Sequence, residues 1–233
     1  QIPFGQEDGR VVAGFYQPRS HRIADTDICL IQTPEADILM ASLKRNLQDM
    51  GIEPYEEKTH RGMLRHVVLR KGRVTGELMV VLVTKKQKFP QAERAVEAIR
   101  AALPDVTSIM QNVNGDKTNV IFGNDTINLW GKDIIEDRIG DVRFEISARS
   151  FYQVNPEQTE VLYGQALDYA GLTGSETVID AYCGIGTISL FLAQRAKFVM
   201  GVEIVPQAIE DAKRNADLNG FTNTLFEAGP AEE

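Results

Sequence analysis

Cysteine is scarce: the 233 residues contain two, Cys29 and Cys183. Two thiols cannot build a disulfide framework, which fits a reducing compartment. Long apolar runs are missing as well. None approaches the roughly 20 residues needed to cross a membrane, and no signal-peptide pattern stands at the start. A cytoplasmic location without a membrane partner is therefore expected. Positive charge is in deficit, with a formal net charge of -8, which argues against a protein that coats nucleic acid by bulk charge; no DNA partner is expected. The deficit is uneven. From Gln1 to Glu145 there are 20 Lys+Arg against 21 Asp+Glu, and from Ile146 onward 5 against 12. An initiator methionine is also lacking, and a predicted strand runs almost to Glu233. These ends suggest a piece of a longer protein.

What is present is 43% hydrophobic and 25% charged, the composition of a globular chain with room for two cores. Arg10 to Gln17 reads as a strand closed by Pro18. Ala36 to Met50 sets Ile38, Leu39, Leu43, Leu47 and Met50 near a 3.6 period, with Gly51 as a stop, and predicts an amphipathic helix. Strands at Met63–Arg70 and Gly76–Thr84 flank a turn at Lys71-Gly72-Arg73. A second helix is expected over Pro90–Leu103, then strands at Thr107–Val113, Asn119–Phe122, Thr126–Trp130 and Asp141–Ser147. Strands alternating with single helices make residues 1–145 an α+β module.

Lys58 to Arg73 holds six Lys or Arg and no acid. Such a run can neutralise phosphates or simply face solvent, and the sequence alone leaves both open. Lys85, Lys86 and Lys88 extend it. His60 and His66 read as surface polar residues, and Cys29 reads as a small buried hydrophobe.

Residues 146–233 change to α/β patterning. Asn155 suits an N-cap, Pro156 the first helical position and Glu157 the helix dipole, so a helix is expected over Pro156–Ala170. Three strands, Thr177–Ala181, Phe198–Glu203 and Thr224–Ala228, alternate with helices at Ile188–Ala193 and Pro206–Asn219. That is half of a doubly wound, Rossmann-like sheet. The turn Asp180-Ala181-Tyr182-Cys183-Gly184-Ile185-Gly186 falls at the carboxyl edge of the first of these strands, where open α/β sheets bind ligands. Gly184 and Gly186 let backbone amides approach a ligand, and the next helix begins there. Glu203 closes the following strand, placed to accept two ribose hydroxyls. A dinucleotide fingerprint fails at Ser189, where its third glycine should stand. An Asp at a strand end, a G-x-G turn and an acid closing the next strand look instead like the S-adenosylmethionine (SAM) site of class I methyltransferases. A glycine turn with no ligand is the bland alternative.

Three stretches then act together: Ser150-Phe151-Tyr152-Gln153-Val154-Asn155, the turn from Asp180 to Thr187, and Gly201-Val202-Glu203-Ile204-Val205-Pro206-Gln207-Ala208. In this order and spacing they resemble the RNA 5-methyluridine methyltransferases, in the branch that modifies 23S ribosomal RNA, with the tRNA enzymes as close relatives. The resemblance implies an α+β module followed by part of a class I SAM-dependent methyltransferase domain. It implies that Gln153 contacts the amino-acid end of SAM, Tyr182 packs beside the cofactor, and Glu203 holds the ribose. Asp180 with the Gly184 and Gly186 backbone would shape the methionine pocket. Cys183 belongs to the turn motif and is not the family's nucleophile.

The family chemistry has a cysteine thiolate add to C6 of a flipped-out uracil, after which C5 takes the methyl group, a base removes the C5 proton and the cysteine leaves C6 as thiolate. That cysteine and base are expected after Glu233, so no catalytic residue is assigned here and this chain alone is expected to be inactive. Pro230 stands where relatives often carry an acid or amide near the adenine. Cys29 resembles the last ligand of a four-cysteine 4Fe-4S cluster, and no cluster is expected on one thiolate. Ribosomal RNA is the expected partner, with Arg61, Arg65, Arg70, Lys71 and Arg73 as phosphate contacts. The alternatives are a tRNA uridine enzyme, a SAM-dependent methyltransferase of another substrate class, and a non-enzymatic RNA-binding module. The open edge of a half-built sheet also invites self-association.

Overall fold

The computed structural model describes residues 1–232. It divides into two compact units, residues 1–71 with 77–135, and 72–76 with residues from 136 onward. In the first unit β1 (Ile2–Glu7), β2 (Arg10–Tyr16), β3 (Ile23–Asp25), β4 (Leu64–Lys71), β5 (Leu78–Thr84), β6 (Val106–Val113) and β7 (Asp125–Gly131) form one sheet in the order β3-β2-β1-β4-β5-β6-β7. Neighbours are antiparallel except β5 and β6. That parallel step is made by the crossover helix α2 (Ala92–Ala102), as a parallel connection requires. The other helix, α1 (Pro34–Asp49), starts with proline in its first turn and buries Leu39, Met40, Leu43 and Leu47. With Ile99 of α2 and Leu64, Val67, Val80 and Leu82 of the sheet they make the first core.

The β1–β4 seam pairs Ile2 with Val67 and Pro3 with His66, whereas the β4–β5 ladder runs from Leu64 opposite Thr84 to Lys71 opposite Leu78. β4 is thus a mid-sheet strand, buried on both faces over its first five residues. The expectation that His66 is a surface residue fails for that reason: it is buried. The strand expected at Asn119–Phe122 is not formed. Two of its carbonyls are taken by one asparagine side chain, Asn114 Nδ2 donating to Val120 O at 2.7 Å and Ile121 O at 2.9 Å, which substitutes for a ladder there.

The second unit holds β8 (Ile135–Ile139) paired with β9 (Val142–Ile146), then α3 (Pro156–Ala170), β10 (Thr177–Asp180), α4 (Thr187–Ala193), β11 (Phe198–Glu203), α5 (Pro206–Leu218) and β12 (Thr224–Ala228). β10, β11 and β12 form a parallel sheet in that order. The units separate near residue 135 rather than 145, because Ile139, Val142 and Phe144 of the β8–β9 hairpin are buried in the second core beside Tyr163, Leu190, Val199 and Phe226. Asn155 caps α3, its side chain accepting from Gln158 N at 3.3 Å, and Gly171 ends the helix at φ 56°.

Candidate cofactor site

The site grows from the ends of β10 and β11, where adjacent parallel strands deliver Asp180 and Glu203 to the same edge. After β10 the chain turns through Gly184 (φ 54°) and Gly186 (φ 81°), left-handed values that favour glycine. Glu203 ties turn and strand together. Its carboxylate accepts Gly184 N at 3.2 Å and Val205 N at 3.0 Å, leaving further lone pairs on both oxygens for hydroxyl donors. A Cβ built on Gly184 would meet no atom within 4 Å, so the turn borders open space. Gly186 serves packing instead, a Cβ there lying 3.2 Å from the Phe226 ring and 3.3 Å from Ala212.

Asp180 is held by a residue that sequence reasoning passed over. Ser189, fully buried on α4, donates to Asp180 Oδ2 at 2.5 Å. It occupies the position where a dinucleotide fold would carry its third glycine, so the departure from that fingerprint is also what orients the carboxylate. Cys183 lies beneath the turn. Burial, then the nearby Asp180 and Glu203 carboxylates, push its thiol up to about 12, so it is not a thiolate at neutral pH and acts as packing.

The polar loop before α3 is anchored by a second residue that patterning missed. Asp211 of α5, 2% exposed, accepts from Ser150 Oγ at 2.9 Å, Gln207 Nε2 at 3.1 Å and Arg214 Nη2 at 2.5 Å. Gln153 follows this anchor half-buried. Tyr182 stands out from the turn at 75% exposure, its hydroxyl donating to Glu232 at 3.3 Å. The structure thus joins Asp180, the glycine turn and Glu203 by strand pairing and hydrogen bonds. Among the described residues no hydrogen bond links Gln153 or Tyr182 to that group.

The donor set fits a nucleoside with a cationic tail. Carboxylates at Glu203 and Asp180 suit hydroxyls and positive charge, and an exposed aromatic ring beside the turn can cover an adenosine face. Cys29 N donates to Asp37 at 3.1 Å, and among the described residues no group of three or more Cys, His, Asp or Glu could hold a metal ion.

The basic candidates separate sharply. Arg65 cannot face phosphate: it is 3% exposed, and its guanidinium donates to the carbonyls of Asn114 (2.9 Å), Asp116 (2.8 Å) and Thr118 (3.0 Å). Its place on the mid-sheet strand β4 turned it inward. Arg70 is half-buried, 6.0 Å from the Phe122 ring, and burial lowers its pKa to about 10. Lys71 pairs with Glu35 at 2.7 Å and Arg73 with Glu157. Arg61 is exposed.

A methyltransferase-domain family model matches residues 172–233. Over its whole length the chain is 61% identical to a protein of Halalkalibacterium halodurans named as an uncharacterised RNA methyltransferase, and 57% identical to one so named from Listeria innocua. It spans about half the length of these curated relatives, 51% of each. Among solved structures it resembles the tRNA (uracil-54, C5)-methyltransferase of Pyrococcus abyssi in complex with S-adenosyl-L-homocysteine. There the TM-score is 0.82 and the identity 30%, covering 100% of this chain and 55% of that one.

Proposed function

We propose that this chain, homologous over its whole length to RNA methyltransferases, supplies the SAM-holding part of an enzyme that methylates C5 of uridine in RNA. The observation that carries the reading is Glu203 bridging Gly184 N and Val205 N at the carboxyl ends of β10 and β11. Glu203 would accept the ribose hydroxyls, Asp180 and the Gly184 backbone would line the methionine end, Tyr182 would cover the adenosine and Gln153 would contact the amino-acid tail. SAM, when bound, supplies an electrophilic methyl group. The chain's own residues hold and orient it, and Ser189 and Asp211 keep the carboxylate and the Gln153 loop in position.

The uridine C5 assignment is supported by the likeness to the archaeal uracil enzyme. Ribosomal RNA is the favoured substrate and tRNA the runner-up; a cytoplasmic location follows from that substrate. Because no thiolate-competent cysteine borders the turn, the attacking cysteine and the base are assigned to the part of the relatives that this chain does not span. Lys71 and Arg73, if they meet phosphate, must first give up their carboxylate partners, which leaves Arg61 as the readiest contact of the basic hairpin.

Calorimetry with S-adenosylhomocysteine tests the cofactor site. Glu203→Ala removes charge-assisted hydrogen bonds of about 1.5–3 kcal/mol, so affinity should fall on the order of 10- to 100-fold. Unchanged affinity would sink the assignment. Tritiated methyl transfer to a uridine-containing RNA hairpin by this chain alone should be nil, and turnover would refute the assignment of the nucleophile.

A further inference from the structure

The first unit contains an open cavity of about 610 Å³ that the cofactor site does not use, walled in part by His21, Lys58, His60 and Lys117. Its volume falls within the range of about 300–1,000 Å³ typical of ligand pockets. Glu57 is the acid on its wall, and the Arg65 guanidinium lies 3.6 Å from that carboxylate. Lys58 and Lys117 are exposed and, among the described residues, have no carboxylate partner. A cavity with two unpaired ammonium groups and one acid already engaged attracts anions.

Its walls are built rather than loose. Arg65, through the three carbonyls it holds, fixes the backbone that presents Lys117, Thr118 and Asn119. The same guanidinium lies 4.7 Å above the Tyr55 ring, and the Tyr55 hydroxyl is 2.7 Å from His60 Nδ1. Lys85 Nζ donates to His60 O. One buried arginine thus braces both sides of the cavity. Near it stands an exposed aromatic pair, the Tyr16 and His21 rings edge to face at 6.2 Å and 83°. Burial and the Glu57 carboxylate raise the Tyr16 pKa, which keeps its hydroxyl protonated and marks its place beside that wall.

We propose that this cavity takes one nucleotide of single-stranded RNA, its phosphate held by Lys58 and Lys117 and its base stacked on the Tyr16–His21 pair. The inference rests on the reading of the chain as part of an RNA methyltransferase and adds a substrate subsite separate from the methyl donor. An unpaired base is required because a ring can stack only on a base face that a duplex would occlude. Phosphate neutralisation and stacking together are how sequence-tolerant single-strand sites work.

The test uses the 233-residue chain and a fluorescein-labelled, uridine-rich 12-nucleotide RNA, with anisotropy followed across salt concentration. Lys58→Ala with Lys117→Ala should weaken binding about tenfold and reduce the log–log salt slope by about 0.7, the share of the one single-strand phosphate they hold. Tyr16→Leu should weaken it about tenfold for the single strand and leave a 12-base-pair duplex unaffected, as loss of one stack predicts. All three positions are exposed or half-exposed, so the variants should fold, and their melting temperatures check it. Equal affinity and slope in the double variant, or no RNA binding by the unaltered chain, overturns the proposal. S-adenosylhomocysteine binding by the same proteins separates the two readings: retained with a silent cavity, it leaves the cofactor site standing while the RNA subsite falls.

Discussion

Two glycines and one ring decide whether the cofactor turn can form. A Cβ on Gly201 would sit 2.5 and 2.7 Å from Phe226 ring carbons and 2.9 Å from Cys183 Sγ. Gly186 faces the same ring from the turn. We expect Gly201→Ala to cost about 1–3 kcal/mol by overpacking, seen as a lower melting temperature, and a second change, Phe226→Leu, to restore part of it. A double variant no more stable than Gly201→Ala would show that the ring is not the obstacle. At this scale the sequence was legible where chemistry follows a motif. Glu203, Asp180 and Gly184 were named from spacing alone. It was silent where a residue acts through a distant partner: Ser189, Asp211 and Arg65 take their roles from neighbours 9, about 60 and about 50 positions away, and no local pattern encodes those meetings.

Among the elements, β4 taught the most. Its basic run reads as a solvated face, yet pairing with β1 on one side and β5 on the other makes it interior, and hydrophobic alternation does not distinguish an edge strand from a central one. His66 bears the consequence. Burial, then the adjacent Arg65 charge, lower its pKa from 6.5 to about 4, and its Nδ1 has no hydrogen-bond partner among the described residues. Because the folded value lies below the ordinary one, the neutral ring contributes stability that is present above pH 6.5 and lost as pH falls toward 4. Urea midpoints should therefore drop between pH 7 and 4.5 by more in the unaltered chain than in His66→Leu; equal drops would place the acid sensitivity elsewhere. Other elements were plain from the start. The cap at Asn155 and the glycine ending α3 obey local rules, and the three parallel strands stand at the expected ranges. β3 and β8 were not foreseen: β3 has three residues, and β8 carries the buried Asp137 where alternation would put an apolar side chain.

For the whole molecule, the second unit's sheet places β10 at an edge, paired with β11 on one side only among the described strands. Ile179 on that strand is 69% exposed. Unpaired backbone beside an apolar side chain is a template for strand addition. Sedimentation equilibrium should show concentration-dependent association of this chain, weakened by Ile179→Lys; a monomer at all concentrations would reject the edge as a contact. The first unit carries a different consequence. Its β1–β4 seam joins Ile2 to Val67 and Pro3 to His66, and Pro3 brings no amide hydrogen to that junction. The β1–β3 ribbon is consequently held to the rest by the buried side chains of Ile2, Phe4 and Ala13 and by Lys44 of α1 on Asp25 at 2.9 Å, and the apolar part of that adhesion weakens on cooling. Solvent deuterium should reach the ribbon's amides by a sub-global opening well before it reaches β5, buried along its whole length, so the segment that bears Tyr16 can lift while the centre of the sheet stays closed.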